Sequence, residues 1–208
     1  MKSGLALCHL QCHRSDRMLF TDLNAQVLPG QLLRVMGANG AGKTSLLRMI
    51  CGLLAPTQGT IFWNGKPPRS MREAFAQDLI YIGHATATKD DLTTLENLRS
   101  HTALSGLRLS RASAVAALQA AGLGQHAAVP ARLLSQGQRR RLALARVAVR
   151  STSRLWVLDE PFTALDAHAT QWLSSLLQGH ARRGGITVLT SHHDVALHPS
   201  IDTLELCL

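Results

Sequence analysis

The sequence predicts an α/β chain with a parallel-sheet core, a small antiparallel sheet beside it and a helical insertion. Three observations carry this prediction. The segments Leu155-Trp156-Val157-Leu158 and Ile186-Thr187-Val188-Leu189 flank a helical stretch at about Gln171–Arg183, so they read as buried parallel strands. The mostly apolar segment Gln31–Met36 passes through a glycine-rich loop into the amphipathic run Ser45–Ile50, in the order strand, loop, helix. Between Leu92 and about Arg150, apolar residues recur at helical spacing, among them Leu95, Leu98, Val115, Leu118, Leu142, Ala145 and Val149.

The elements follow in chain order. Short apolar segments around Leu5–Leu10, Met18–Phe20 and Leu23–Leu28 read as strands joined by turns, closed by Pro29-Gly30. The run Thr60-Ile61-Phe62-Trp63 enters Asn64-Gly65, a dipeptide suited to the positive φ angles of a tight turn. Leu79–Ile82 reads as a further strand, and Gly106, Gly122, Gly124 and Pro130 punctuate the helical insertion. A chain of 208 residues suits one compact domain, 1–208, with the helical subdomain at about 90–150.

Composition excludes several classes. Polar residues and glycines interrupt every apolar stretch before the roughly 18 residues that a spanning helix needs, and the start lacks the long apolar run of a secretory signal. A cytoplasmic chain is expected. Four scattered cysteines, Cys8, Cys12, Cys51 and Cys207, make no disulfide framework and are expected to act as small reduced hydrophobes. Cys8-His9-Leu10-Gln11-Cys12-His13 has one residue too many between its cysteines for haem attachment and reads as an early strand. The histidines form no ligand-like cluster. A formal charge of +9 suits nucleic acid, an anionic membrane surface or a phosphate-bearing ligand, without choosing among them.

The chemistry is concentrated in two places. Gly37-Ala38-Asn39-Gly40-Ala41-Gly42-Lys43-Thr44 fits G-x-x-x-x-G-K-T. Its glycines let consecutive N–H groups face one point, and the following helix aims its positive end there, so phosphates fit. Lys43 brings charge for the β- and γ-phosphates, the Thr44 hydroxyl suits Mg²⁺, and Ser45 completes this nucleotide-binding set. Downstream, Leu158-Asp159-Glu160-Pro161 ends a buried strand. Asp159 suits a Mg²⁺ ligand, direct or through water, and Glu160 suits the base that polarises the attacking water.

Leu134-Ser135-Gln136-Gly137-Gln138 and the basic run Arg139–Arg146 make the reading specific. This segment resembles the signature motif of ABC ATPases. Together with 37–44, Asp159-Glu160, Ala164-Leu165-Asp166 and Thr190-Ser191-His192, it puts that family's motifs in family order over essentially the whole chain. The resemblance implies a P-loop, RecA-like cassette that hydrolyses ATP with Mg²⁺ as one of two identical subunits sandwiching nucleotide. Ser135, Gly137 and Gln138 would contact the partner's nucleotide, Asp166 the dimer interface, and His192, with His193 as fallback, the γ-phosphate. Of Arg139, Arg140 and Arg141, at least one is expected on a solvated basic face.

Two departures stand out. Where the family carries a glutamine after the strand Leu79–Ile82, this chain has Gly83-His84, so His84 inherits a water-mediated metal contact or a membrane-subunit contact. The usual adenine-stacking aromatic is missing from the early strands, where His13 and Arg14 lie nearest.

Soluble ABC proteins acting on DNA or ribosomes carry coiled-coil insertions or paired cassettes, and neither is present. Intact Lys43, Thr44, Asp159 and Glu160 oppose a non-hydrolysing scaffold. The segments Tyr81–His84, Leu92–Leu98, Asp159–Asp166 and Gly184-Gly185-Ile186 are most similar to the ATP-binding subunits of bacterial haem exporters in cytochrome c maturation. That branch implies integral membrane partners of that system, ATP as substrate, no nucleic acid, and a peripheral place on the cytoplasmic face of the inner membrane.

Overall fold

The structure, a computed structural model, describes residues 3–14, 17–191 and 198–208. It divides into two compact units, one of Met1–Gly83, Ser153–Glu160 and Leu177–Leu208, the other of His84–Thr152 and Pro161–Leu176.

In chain order the strands of the first unit are β1 (Leu5–Arg14), β2 (Arg17–Val27), β3 (Gln31–Met36), β4 (Gln58–Trp63), β5 (Leu79–Ile82), β6 (Leu155–Leu158), β7 (Ile186–Thr190) and β8 (Asp202–Cys207). Five of them form a sheet in the order β5-β6-β7-β3-β8, parallel at every pairing. The two apolar segments flanking the helical stretch are direct neighbours in it, with Leu155 opposite Ile186 and Leu158 opposite Leu189.

Every residue of β6 and β7 is buried, as expected of strands covered on both faces. One face, with Leu155, Val157, Ile186 and Val188, joins Leu46, Leu47 and Ile50 of helix α1 (Lys43–Ile50) in the main core. On the other, Trp156 stacks on His180, ring centroids 3.7 Å apart and planes 9° from parallel.

The antiparallel sheet has the order β2-β1-β4. Asn64-Gly65 makes the expected tight turn, with φ of 49° and 79° and Trp63 and Lys66 exchanging backbone hydrogen bonds of 2.8 and 3.1 Å. The segments Met18–Phe20 and Leu23–Leu28 differ from expectation: they belong largely to one strand, β2, rather than two. The register against β1 shifts between Leu7 and Leu10, where His9 and Asp22 both take φ of 50°. A bulge there interrupts the period of two on which sequence reading depends. The cysteines of the stretched haem-like motif fall inside β1, with Cys12 buried and His13 exposed, while Cys207 in β8 is exposed rather than a packed hydrophobe.

A short helix not legible in the sequence, α2 (Arg72–Asp78), precedes β5. Its Phe75 meets Trp63 edge-on, and Asp78 accepts from Trp63 Nε1 at 2.9 Å.

In the second unit, helices α3 (Thr94–Leu104), α4 (Arg111–Ala120) and α5 (Gln136–Val149) close around Leu98, Leu118, Leu142 and Ala145. Thr93 and Glu96 form a capping box at α3. Buried Asn97 then ties down the preceding loop: its amide donates to the carbonyls of Lys89, Leu92 and Thr93 and accepts from Lys89 N–H. Helix α6 (Ala167–Arg182) begins in this unit and ends in the first.

Candidate nucleotide site

β3 ends at Met36, and the glycine-rich loop passes directly into α1 at Lys43. At Gly42, which caps α1, φ is 107°, and a Cβ would stand 3.1 Å from Leu19 Cβ and 3.2 Å from the Phe20 ring. Only glycine suits both the backbone angle and the space. The first turn of α1 has N–H groups without intrahelical partners, the ordinary condition of a helix start and one suited to anions. Lys43 is buried and folds back across the loop, donating to the carbonyls of Gly37 at 2.7 Å and Ala38 at 3.0 Å. Its ammonium is held over the loop by backbone rather than by an acid.

β6 delivers the two acids. Asp159 is 2% exposed, and its backbone N–H donates to Ile82 of the neighbouring strand at 2.8 Å. Its carboxylate accepts on both oxygens: Thr44 Oγ1 donates to Oδ2 at 2.9 Å, and Thr190 Oγ1 donates to Oδ1 at 2.8 Å. Glu160 follows with φ of 49°, unusual for a residue with a side chain, and its N–H donates to the same Thr190 oxygen at 2.8 Å. Below Asp159, burial pushes the Tyr81 phenol above its ordinary pKa, a hydrogen bond with Arg48 opposes this, and the Asp159 charge adds to the rise. The loop residues Asn39, Gly40, Gly42, Lys43, Thr44 and Ser45 line one cleft of about 220 Å³ with Glu160 and Leu19.

In the second unit, Ser135 caps α5. Its hydroxyl accepts from Gln138 N–H at 3.2 Å, and Gln138 Oε1 accepts from Ser135 N–H at 2.8 Å. Gln138 is steadied in turn by His126 at 2.9 Å. At Gly137 a Cβ would lie 2.6 Å from the carbonyl oxygen of Ala164, so two backbones meet there. Of the three arginines that follow, Arg139 is half-buried, its side chain 28% exposed, and pairs with the exposed Asp90 at 2.6 Å, Arg140 is buried, and Arg141 lies 3.9 Å from Asp166. Asp166 is itself a helix cap, accepting from Ala169 N–H at 2.8 Å.

A phosphate loop, a strand-end acid pair and a capped signature helix form the pattern of one family, and the chain matches that family, the ABC transporter family, over residues 20–163. The chain belongs to the ABC transporter family. Among curated ABC relatives it is similar to the cytochrome c biogenesis ATP-binding export protein CcmA of Aromatoleum aromaticum, 49% identical over 92% of this chain and 91% of that one. The protein of the same name from Nitrosospira multiformis is 47% identical, over 90% of this chain and 91% of that one.

Two solved ABC structures share the fold. An ATP-binding subunit of an ABC transporter matches with a TM-score of 0.79 at 24% identity, over 91% of this chain and 80% of that one. A dimeric, post-hydrolysis ATP-binding cassette bound to ADP and Pi matches with 0.76 at 22%, over 91% and 88%. The resemblance to ABC ATP-hydrolysing subunits and the expected α/β cassette are both borne out.

Within this ABC cassette, Gly37–Ser45, Asp159 and Glu160 come together in the first unit, whereas Ser135, Gly137, Gln138 and Asp166 belong to the second. His84 is exposed in a bend at the start of the second unit. His192 and His193 lie outside the described residues. Leu19 of β2 lines the phosphate-loop cleft, while His13 and Arg14, nearest by sequence, are exposed on β1 and do not. Sequence reading placed Thr190 in the motif Thr190-Ser191-His192 without a role of its own; the structure makes it the common partner of both acids. The signal that could have found it is a hydroxyl residue at the end of a buried strand, where an unpaired hydroxyl is costly.

Proposed function

We propose that this ABC subunit powers haem export in c-type cytochrome assembly, working as one of a homodimeric pair on integral membrane partners at the cytoplasmic face of the bacterial inner membrane. The observation that carries this reading is the identity to cytochrome c biogenesis export proteins, from 43% to 49% across about nine-tenths of the chain. Among the described residues no helix is long and apolar enough to cross a membrane, so membrane passage is assigned to partners. Nucleic acid is not among them.

In this reading the loop N–H groups and Lys43 hold the ATP phosphates. The Thr44 hydroxyl and Asp159 carboxylate, 2.9 Å apart, are a pair of hard oxygen donors that fit Mg²⁺ alongside phosphate oxygens. Bound there, the ion supplies charge neutralisation at the β- and γ-phosphates. Glu160 orients the attacking water and takes its proton as the γ-phosphate leaves ADP. Ser135, Gly137 and Gln138 present a helix start to the nucleotide of the partner subunit. Asp166 lies at the interface, His192 contacts the γ-phosphate, and His84 links the metal-bound water or the membrane subunit to the cycle.

The test is to purify the chain with its membrane partners and follow ATP turnover and release of the haem-loaded periplasmic chaperone together. Glu160→Gln is expected to bind MgATP, lose turnover by about 100-fold or more, accumulate as a dimer and stop release. Recovery of membrane partners unrelated to cytochrome c maturation would move the subunit to another exporter, and release undiminished in Glu160→Gln would uncouple it from hydrolysis.

A further inference from the structure

We infer that Thr190 is a positioning residue for hydrolysis, setting Asp159 and Glu160 as one unit. This rests on the assignment of metal and base roles to those two acids and goes beyond it. Thr190 is the last residue of β7, fully buried, and next to β6 in the sheet. Its hydroxyl has one proton, donated to Asp159 Oδ1 at 2.8 Å, and its lone pairs accept from Glu160 N–H at 2.8 Å. One oxygen therefore fixes the carboxylate of the first acid and the backbone of the second.

Two features make this arrangement more than a satisfied core hydroxyl. Glu160 holds φ of 49°, which a residue with a side chain adopts only where its surroundings over-determine it, and Thr190 supplies its backbone partner. In addition, the Asp159 carboxylate has two hydroxyl donors, Thr44 on Oδ2 and Thr190 on Oδ1. When the Thr44 oxygen serves Mg²⁺, its bond to Asp159 is no longer assured, while Thr190 still holds Oδ1. Thr190 does not itself line the cleft and meets it only through Glu160, which does, so its effect passes through the two acids.

The variants are Thr190→Val, which keeps the shape and removes both hydrogen bonds, and Thr190→Ser, which keeps the hydroxyl. Each is compared with Glu160→Gln and with the unaltered chain. Thr190→Val is expected to lower kcat by about 10- to 100-fold, in the range seen when a group supporting a reactive residue is removed, and to shift the Mg²⁺ dependence to higher concentration. MgATP affinity, read by equilibrium nucleotide binding, should stay within about 3-fold, because the phosphate contacts of the loop are untouched.

Thr190→Ser should recover most of the turnover. A thermal melt keeps loss of fold separate: if Thr190→Val melts below the parent, kcat and the Mg²⁺ response are compared at a temperature at which all the variants are folded. An unchanged kcat in folded Thr190→Val overturns the inference, as does equal loss in the serine and valine variants. If Glu160→Gln hydrolyses normally, the assignment of the base fails instead, and that outcome is distinct.

Discussion

At the scale of single residues, Gly137 shows two effects in opposition. Near the start of α5, alanine in its place would gain about 1 kcal/mol of helix propensity, which predicts a more stable chain. The Cβ would also stand 2.6 Å from the Ala164 carbonyl oxygen, and Ala164 is in the left-handed region at φ of 61°, so neither backbone moves freely. Overpacking of this kind costs about 1–3 kcal/mol, and the contact should win. Gly137→Ala is therefore expected to melt lower than the parent and to lose most ATP turnover; a higher melting temperature would show that the backbones separate cheaply. Gly42 was legible beforehand because its motif states a phosphate-binding reason for glycine. Gly137 came from a family pattern, and its reason, an approach to a residue 27 positions away, cannot be seen in spacing. Leu19 belongs to the same class, a cleft residue contributed by a strand whose sequence carries no nucleotide signal.

At the scale of elements, one side chain at the start of α5, Ser135, caps the helix and is proposed to meet the partner's nucleotide, and substitution can separate the two. Ser135→Ala removes one half of the capping box and should cost about 1 kcal/mol, read as a shift in denaturant midpoint. Ser135→Asp retains an N-cap acceptor and should stay within about 0.5 kcal/mol of the parent. It still presents a carboxylate where a partner's γ-phosphate is proposed to approach, so turnover should fall severely while nucleotide binding persists. An Ser135→Asp chain with normal turnover would remove the signature from the nucleotide. The long, strongly patterned elements were readable: β6, β7 and the α1 loop junction lie where apolar runs and motif placed them. Helix α2 was not, because seven residues offer under two turns of periodicity and it is held by Trp63, through Phe75 and Asp78. The β1–β2 bulge hid a continuous strand for a related reason: local alternation breaks where His9 and Asp22 leave the pleat, and the pairing that restores it lies on the other strand.

At the scale of the whole molecule, acid should weaken the fold through His180. Buried beneath β6 and stacked on Trp156, it has its pKa pushed down to about 4, chiefly by desolvation, with a bond to the Ile186 carbonyl opposing. In the unfolded chain it would take a proton near pH 6.5. Its contribution is thus complete above about pH 6.5, declines as pH falls, and is gone near pH 4, a difference of order 3 kcal/mol. Denaturant midpoints measured from pH 7 to 4 should fall across that window, and His180→Phe should flatten the part of the slope that belongs to this ring; an unaltered slope would place the acid sensitivity elsewhere. Sequence supplied the histidine but not its depth, which depends on Gly185 leaving room for the ring. The strand order has one more consequence, and it concerns assembly of the chain itself. Thr44 reaches Asp159 across 115 positions and Asp159 reaches Thr190 across 31, because β3, β7 and β6 are neighbours only once the parallel sheet has closed. Parallel pairings of such separation are slow to form, and the Thr44–Asp159–Thr190 contacts exist only in the closed sheet. ATP therefore rewards only chains that have finished: at 100 times its dissociation constant it adds about 2.7 kcal/mol to the native state alone, so the substrate also acts as proofreader of the fold that consumes it.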